Sequence, residues 1–288
     1  MIFFVKLLQF CFRIIFFAPV AVALNIMYAA AWLIQALARL TRLRSTVINN
    51  IAQVIPESPA ALLADKLISN TSYSIFEILC VPFFKRKHYQ AIIEWQGLEN
   101  LTQALKEHKG VIILTMHTGN YELTHAALSN LGYPMNIVLR ATNEPIFEII
   151  NRSRSSEGAR LINVLDSDMY KESLKVLDKN ELIYLLADTG ALESRHETID
   201  FLGKKVPAAT GWLTLAQRSG CAVIPTLAKK SGRRNTITLH KPIKVTKENR
   251  EEAMRKILGT FEAFIKANPE QWAMFLNAFE TKRMIGGK

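Results

Sequence analysis

A histidine and a glutamate lie five positions apart, just after a strongly apolar run of the chain. The run Val111–Met116 contains one polar residue, Thr115, and is followed by His117 and Glu122. Such a run is typical of a strand buried on both faces, and the carboxyl ends of these strands carry the sites of open α/β sheets. The glycine and asparagine between the two residues are typical of a turn that leads into a helix. We therefore interpret His117 as a general base that Glu122 orients.

Two other interpretations of His117 stay open on the residues alone. It can be a strand-end histidine whose ring is satisfied by a cap and does no chemistry. It can also share a metal ion with Glu122 and His125, although the chain contains no His-Glu-x-x-His sequence. We expect no metal at this site.

Beyond residue 108 the chain alternates short apolar runs with helical stretches. Strands are expected at Val111–Met116, Asn136–Leu139, Leu161–Leu165, Leu182–Ala187, Ala222–Leu227, Asn235–His240 and Ile243–Val245. Helices are expected at Tyr170–Asp178, Trp212–Ser219 and Glu248–Ala267. This alternation predicts an α/β fold with a mostly parallel central sheet flanked by helices. The predicted core is 109–288, preceded by a helical lead-in over 45–108.

The N-terminus is apolar and basic. Ile14–Ala38 carries no charged residue and is longer than the roughly 20 residues that a membrane-spanning helix needs. Arg39, Arg42 and Arg44 follow it, and the first acidic residue is Glu57. We interpret residues 1–44 as a membrane anchor with a basic flank, spanning or embedded in the bilayer. A buried globular helix and a cleaved signal peptide stay open as alternatives.

The composition indicates a well-packed protein with an anionic partner. Hydrophobic residues make up 49% of the 288 residues, which excludes a disordered or collagen-like chain. The formal net charge of +11 favours an anionic phospholipid surface, an acidic carrier protein or a phosphorylated substrate. No nucleic-acid partner is expected, because the chain has no recognisable nucleic-acid-binding motif. Three widely separated cysteines fit a reduced compartment without disulfides.

These features together resemble one family. The element from His117 to Glu122 resembles the H-x4-[D/E] motif of the glycerolipid acyltransferases. The chain is most similar to the branch that contains the late acyltransferases of lipid A biosynthesis and the phosphatidylinositol mannoside acyltransferases. Members of that branch begin with a membrane anchor and a basic stretch, followed by Asn-Ile and Pro-Glu-Ser elements. Here these elements are Ile14–Ala38, Arg39–Arg44, Asn50-Ile51 and Pro56-Glu57-Ser58.

Further blocks follow the histidine motif in the order that the family has. They are an arginine after a strand, an aspartate at a strand end, an F-x-G segment with a small-residue helix start, and a late Pro-Glu-Gln-Trp. They correspond to Arg140, Asp188, Phe201–Gly203 with Pro207–Gly211, and Pro269–Trp272. Two positions depart from the pattern of lipid A acyltransferases, since Thr189 replaces a glutamine and Ala273–Asn277 replaces a basic aromatic run.

The resemblance implies a membrane-bound acyltransferase. Its co-substrate is then an acyl thioester on acyl carrier protein or coenzyme A, with no other cofactor. Its acceptor is a hydroxyl of a lipid A precursor in the membrane. A lysophospholipid, an aminolipid or another glycolipid stays open as the acceptor, and so does a non-catalytic membrane adaptor. The location of the donor implies the bacterial inner membrane, with the catalytic domain facing the cytoplasm.

The remaining candidate residues have two interpretations each. Arg140 binds a phosphate or the acceptor headgroup, or else it pairs with Glu144. Asp188 positions the acceptor or a site arginine, or else it caps a helix. Arg160 is a weaker candidate for substrate binding, and a surface role is favoured for it.

Small and basic residues complete the set. Gly203, Thr210 and Gly211 resemble a backbone turn beside the site, although Gly211 can simply allow close packing. Arg152 and Arg154 are expected on a surface patch, which either attracts the acidic carrier or is only solvated. The N-terminal phenylalanines are expected to contact lipid.

Overall fold

Helices and strands alternate along the part of the chain that the computed structural model describes, residues 2–142, 145–188 and 197–277. The helices are α1 (Ile2–Ile15), α2 (Val20–Arg39), α3 (Arg42–Val54), α4 (Ala60–Cys80), α5 (Arg86–Ile92), α6 (Leu98–Leu105), α7 (Tyr121–Asn130), α8 (Pro145–Ser156), α9 (Met169–Asp178), α10 (Gly211–Ser219) and α11 (Arg250–Ala267). The strands are β1 (Ile93–Gln96), β2 (Val111–Thr115), β3 (Met135–Leu139), β4 (Arg160–Asn163), β5 (Leu182–Leu186), β6 (Glu197–Phe201), β7 (Lys204–Ala208), β8 (Ala222–Ser231), β9 (Arg234–Leu239) and β10 (Ile243–Lys244). Short 3₁₀ turns lie at Val81–Phe83, Pro269–Gln271 and Ala273–Leu276.

The central sheet has the strand order β1-β9-β8-β2-β5-β3-β4, and β10 pairs with β8 at one side. Strands β8, β2, β5, β3 and β4 run parallel to their neighbours in that order. Strand β9 is antiparallel to β8, while β1 is parallel to β9. The mostly parallel sheet with flanking helices confirms the predicted α/β class.

Buried side chains cover both faces of the sheet, which explains the continuous apolar runs. In β2, Ile112 and Leu114 pack into a core on one face with helices α10 and α11. Val111 and Ile113 pack on the other face with Leu128 of α7. All five residues of β2 are buried, as expected for a strand in the middle of a helix-covered parallel sheet.

Three strands of the structure were not predicted from the sequence. Ile93–Gln96, inside the lead-in expected to be helical, forms the edge strand β1 and pairs with β9. Strands β6 and β7 form a separate antiparallel hairpin whose turn is Leu202-Gly203. Both turn residues have positive φ, 51° and 74°, which is the geometry of the two-residue turns that connect the strands of tight hairpins. Each of these strands is short and mixes exposed or half-buried positions with at most two buried ones, so none contains a long apolar run.

The two N-terminal helices pack on the rest of the protein. A hydrophobic cluster joins Phe12 and Phe16 to Met27 of α2, and these side chains contact α4, α5 and α7. The inner face of α2 is buried at Ala23, Leu24, Met27, Tyr28, Ala31 and Gln35. Its other face exposes large apolar side chains, Val22, Ile26, Trp32, Leu33, Ile34 and Leu37. Within the described residues, α2 is the one helix with the length and composition to cross a membrane.

Candidate active site

The register of two neighbouring strands brings His117 and Asp188 together. Strands β2 and β5 are parallel, and Thr115 lies opposite Leu186 at their carboxyl ends. The amide of Ala187 still donates to the carbonyl of Thr115, at 2.8 Å. His117 and Asp188 are each two residues further on, so their side chains meet at the carboxyl edge of the sheet.

A short turn carries His117 and is hydrogen-bonded to the segment that contains Gln271 and Ala273. We call Met116–Asn120 the catalytic turn. The carbonyl of His117 accepts from Ala273 N–H at 2.8 Å, and the amide of Gly119 donates to the carbonyl of Gln271 at 2.9 Å. Gly119 has φ of 52°, and a Cβ there would lie 2.4 Å from the carbonyl oxygen of Ala228. Only glycine fits at this position without backbone movement.

Asp188 orients the imidazole of His117. Its Oδ1 lies 2.8 Å from Nδ1 of His117, and its Oδ2 accepts from the His117 amide at 3.0 Å. The indole Nε1 of Trp272 also donates to Oδ2, at 2.9 Å. Burial by itself would raise the pKa of Asp188, but the imidazole of His117 and the hydrogen bonds to this carboxylate outweigh it and lower the pKa.

This arrangement fixes the tautomer of His117. An ionised carboxylate only accepts hydrogen bonds, so Nδ1 carries the ring proton. The lone pair then lies on Nε2, which is the ring nitrogen that can accept a proton. One fifth of the side chain is exposed, and the ring of Tyr121 stands edge-on at 4.6 Å between centroids. The geometry can therefore remove a proton from a bound hydroxyl.

Glu122 does not pair with His117, so the predicted orienting contact is wrong. It lies in the first turn of α7, where Arg154 Nε donates to its Oε2 at 2.9 Å and Arg154 Nη2 donates to its Oε1. His125 Nε2 lies 2.9 Å from Oε2. Burial alone would raise the pKa of Glu122, but the charge of Arg154 and the hydrogen bonds of His125 and Arg154 lower it well below its usual range. Glu122 thus joins α7 to α8.

The same contact corrects the expectation for Arg154. Its side chain is only 13% exposed because it reaches inward to Glu122, whereas Arg152 on the same helix is 66% exposed and pairs with Glu148. The predicted surface patch therefore holds for Arg152 and is wrong for Arg154. Glu122 and His125 bond to one another while His117 bonds to Asp188, and no group of three or more His, Cys, Asp or Glu side chains in the described ranges is placed to hold a metal.

The two other candidate arginines lie at opposite edges of the sheet. Arg140 follows the carboxyl end of β3 and is exposed, on the same edge as His117 but with β5 between their strands. Its proposed partner Glu144 lies outside the described residues. Arg160 is the first residue of β4 and pairs with Glu172. It therefore lies at the amino edge, opposite the edge that carries His117, and its contact with substrate stays a prediction.

The small residues of the third block serve the frame around the site. Gly203 completes the β6–β7 turn. The hydroxyl of Thr210 donates to Glu197 at 2.7 Å, and Glu197 also pairs with Arg250. A Cβ on Gly211 would meet no atom within 4 Å, so the alternative interpretation of Gly211 as a close-packing residue is wrong.

An apolar cleft of about 480 Å³ opens beside the site. Val138 and Leu185 of the sheet, Met169 of α9, and Trp212 and Leu215 of α10 form much of its wall. A smaller cavity of about 20 Å³ reaches Met116 and Asp188. Ala209 lines both spaces, so the cleft approaches Asp188, the residue whose carboxylate contacts His117. Thr210 and Gly211 line the cleft as well.

Comparison with known proteins identifies the family of this chain. The family model described as bacterial lipid A biosynthesis acyltransferase matches residues 2–281. The chain belongs to this acyltransferase family. The acyltransferase is 23% identical to the lipid A biosynthesis acyltransferase of Haemophilus influenzae over 222 residues, which cover 76% of this chain and 69% of the relative.

Two further relatives differ in the acceptor that their names imply. The lipid A biosynthesis myristoyltransferase of Escherichia coli is 22% identical over 249 residues, 83% of this chain and 76% of the relative. The phosphatidylinositol mannoside acyltransferase of Mycobacterium tuberculosis is 23% identical over 235 residues, 78% of this chain and 74% of the relative. The acyltransferase is thus similar to enzymes of both names.

Proposed function

We propose that this protein transfers a fatty acyl chain from an acyl thioester to a hydroxyl of a lipid A precursor, with His117 as the general base. The single observation that carries the proposal is the contact of 2.8 Å between Nδ1 of His117 and Oδ1 of Asp188. A carboxylate on one ring nitrogen leaves the other nitrogen basic and directs it outward. Asp188 replaces Glu122 as the orienting residue.

The reaction needs no covalent acyl-enzyme. Nε2 of His117 takes the proton of the acceptor hydroxyl while the oxygen forms a bond to the thioester carbonyl carbon. The C–S bond then breaks, and the thiolate of the carrier leaves with the proton from the imidazolium. Asp188 stays ionised and stabilises the imidazolium between these steps.

The apolar cleft between α9 and α10 is the proposed place for the acyl chain. Its volume lies in the range of small-ligand pockets, roughly 300–1,000 Å³, and its walls are mostly apolar. It approaches Asp188 through Ala209, so a chain bound there would place its thioester near His117. Acyl carrier protein or coenzyme A is the proposed carrier outside the cleft.

Two observations bear on the identity of the acceptor. Arg140 lies exposed at the catalytic edge of the sheet and is the proposed contact for an acceptor phosphate. The segment Ala273–Asn277 buries Met274 and Phe275 and carries no basic residue, unlike the basic run of lipid A acyltransferases. Together with the similarity to a phosphatidylinositol mannoside acyltransferase, this supports another glycolipid as the second candidate acceptor.

The N-terminal helices are proposed to lie in the plane of the membrane rather than to cross it. Hydrogen bonds attach α2 to the body along its length, since Arg233 donates to Oδ1 of Asn25 at 2.5 Å and Ser69 donates to Oε1 of Gln35 at 2.9 Å. Arg39 donates to the carbonyl of Asp65 at 3.2 Å. A helix fastened in this way cannot cross a bilayer without pulling charged surface into it.

The outer face then meets one leaflet. Phe10, Phe17 and Trp32 are exposed there, with exposed Arg13 and Arg42 placed to contact anionic headgroups. The inner membrane with the catalytic domain in the cytoplasm, where the donor thioester is expected, is the proposed location.

Mass spectrometry of total lipids and released lipid A tests the proposed function. Cells with the wild-type protein should gain one acyl mass on a lipid A species, and His117→Ala should abolish the gain. Asp188→Asn should lower the rate about 10²–10⁴-fold, the range for a lost base or its orienting partner. Glu122→Gln is the matched control, since it changes a buried carboxylate that does not touch His117 and should lower the rate per folded protein much less.

Each remaining outcome has a defined meaning. An acyl gain on another lipid instead of lipid A would transfer the proposal to the glycolipid or phospholipid acceptors. A larger loss with Glu122→Gln than with Asp188→Asn would overturn the assignment of Asp188. No acyl gain on any lipid would overturn the enzymatic proposal.

A further inference from the structure

A charged pair lies completely buried between the N-terminal helices and the sheet. Glu77 of α4 and Lys230 of β8 both have side chains that are 0% exposed, and Lys230 Nζ lies 2.7 Å from Oε1 of Glu77. Neither residue takes part in the reaction proposed above. The sequence analysis did not single them out, because an isolated glutamate in a helix and a lysine in a strand are ordinary surface residues in sequence.

Glu77 collects hydrogen bonds from four elements of the fold. Besides Lys230, the hydroxyl of Tyr28 on α2 donates to Oε1 at 2.5 Å. Asn120, the last residue of the catalytic turn, donates from Nδ2 to Oε2 at 2.7 Å. Asn235 of β9 donates to both oxygens, at 3.1 and 3.2 Å. The carboxylate therefore connects α2 directly to the turn that carries His117.

A second path reaches the same turn through Lys230. The amide of Lys230 donates to Oε1 of Gln271 at 2.8 Å, and Nε2 of Gln271 donates back to the carbonyl of Lys230 at 3.0 Å. The carbonyl of Gln271 accepts from Gly119 N–H at 2.9 Å. Asn120 is thus held by Glu77 itself, and Gly119 is held by a glutamine that bonds the backbone of Lys230.

Stability alone is a poor reason for such a pair. Removing two charges from water is costly, and apolar side chains of similar size in the same place are often as stabilising. What the pair provides is directional contact, since each hydrogen bond fixes the position of its partner. The partners here are a tyrosine on the helix that faces lipid and an asparagine beside the base.

We propose that Glu77 is a positioning residue that couples the seating of α2 to the geometry of the catalytic turn. With α2 in place, Tyr28 completes the set of donors on Glu77. Glu77 then holds Asn120, and this contact keeps the catalytic turn in the position at which His117 meets Asp188. The inference rests on the proposed acyl transfer for its effect on rate, but its structural part is independent of the acceptor.

The test uses the tyrosine rather than the buried charges. Glu77→Gln would leave the Lys230 ammonium without a counter-charge and would destabilise the whole fold. Tyr28→Phe removes one hydroxyl and keeps the ring. Tyr73→Phe is the matched control, because the Tyr73 ring packs edge-on against Tyr28 at 5.5 Å but does not bond Glu77. Asn120→Ser keeps a side chain that caps α7 while removing the donor to Glu77.

Kinetics on the full chain in phospholipid nanodiscs give the first measurement. Tyr28→Phe should lower kcat about tenfold at unchanged KM for the thioester, in a temperature range where all variants stay folded. Tyr73→Phe should match the wild type. The variant with both Tyr28→Phe and Asn120→Ser should lose no more than the more severe single variant, because both changes interrupt one path. An unchanged kcat for Tyr28→Phe, or losses that multiply, would overturn the coupling.

Hydrogen exchange gives a second measurement that does not require activity. Tyr28→Phe should speed amide exchange in the catalytic turn at least severalfold, and Tyr73→Phe should not. If the wild type transfers no acyl chain but exchange responds in this way, the coupling stands and the proposed function falls. If the wild type is active and exchange does not respond, the coupling falls and the proposed function stands.

Discussion

Two buried carboxylates close to the catalytic turn differ in what surrounds them. Asp188 accepts hydrogen bonds from His117 and Trp272, and it orients the imidazole. Glu122 accepts from Arg154 and lies against His125, and it joins two helices. Both have a lowered pKa, because the partner groups outweigh burial. The chemical role therefore follows from the partner and not from the residue type.

The Glu122–Arg154 pair predicts a specific dependence of stability on pH. The pKa of Glu122 is lower in the folded chain than its value of about 4.3 in an unfolded chain. The ionised carboxylate therefore stabilises the fold fully at pH values above about 4.3. The effect is lost as the pH falls toward the folded pKa. Arg154→Met leaves the carboxylate buried without its cation, which costs about 3–5 kcal/mol at neutral pH and removes this dependence.

Thermal unfolding in detergent between pH 7 and pH 3 checks this prediction. Arg152→Met on the same helix is the control, because Arg152 is exposed and pairs only with exposed Glu148. It should retain the melting temperature of the wild type and its loss on acidification. Combining Arg154→Met with Glu122→Gln should recover much of the stability. Equal acid dependence in Arg154→Met and the wild type would contradict the assignment.

At this scale the sequence predicted His117 but gave the wrong carboxylate. The pattern of an apolar strand, a turn and a helix start is local, so it identified the histidine. The contact with Asp188 depends on the pairing of Thr115 with Leu186 across two strands that are far apart in the chain. The local spacing favoured Glu122 as the partner of His117, whereas the register of β2 and β5 places Asp188 against it.

Among the elements, helix α10 and the strands beside it form the wall of the apolar cleft. Thr214 lies on α10, is exposed, and lines this cleft. Thr214→Trp should narrow the space and lower kcat/KM for long-chain thioesters about tenfold relative to short-chain ones, since pocket size discriminates chain length. Thr102→Trp on exposed α6 is the matched control and should leave the ratio unchanged. A cleft that binds no acyl chain would give the same ratio in both variants and the wild type.

Element prediction succeeded where one residue pattern dominated. The strands buried on both faces, such as β2, consist mostly of apolar residues and were all identified. The β6–β7 hairpin was missed because its strands alternate exposed and buried positions and include Lys204, Lys205 and Pro207. Its position depends on tertiary contacts, among them the Phe201 ring against the Trp272 ring at 6.2 Å.

For the molecule as a whole, the orientation of α2 in the membrane gives a geometric prediction. Val22, Ile26, Leu33 and Leu37 are exposed on one side of α2. From residue 22 to residue 37 the helix advances about 22 Å, at about 1.5 Å per residue. Spin labels on cysteines at these positions should therefore all report a similar depth in anionic vesicles if the helix lies in the plane. A spanning helix would give depths that change steadily over most of that distance.

The spin labels require a chain without an accessible native thiol. Cys11 is exposed, whereas Cys80 and Cys221 are buried, so Cys11→Ser removes the accessible thiol of the folded chain. A label at Thr102→Cys should report water, because this position is exposed on the surface of α6.

The burial of Tyr28 also limits how the protein can be prepared. Apolar N-terminal segments of membrane enzymes are often deleted to improve solubility. Deleting residues 1–44 here would uncover the apolar side chains of Phe76 and Leu123 and open the Glu77–Lys230 pair to water. The shortened chain would expose a hydrophobic face that the full chain buries, and we expect it to aggregate. In this protein the N-terminal segment that resembles a separate membrane anchor is packed into the fold of the enzyme.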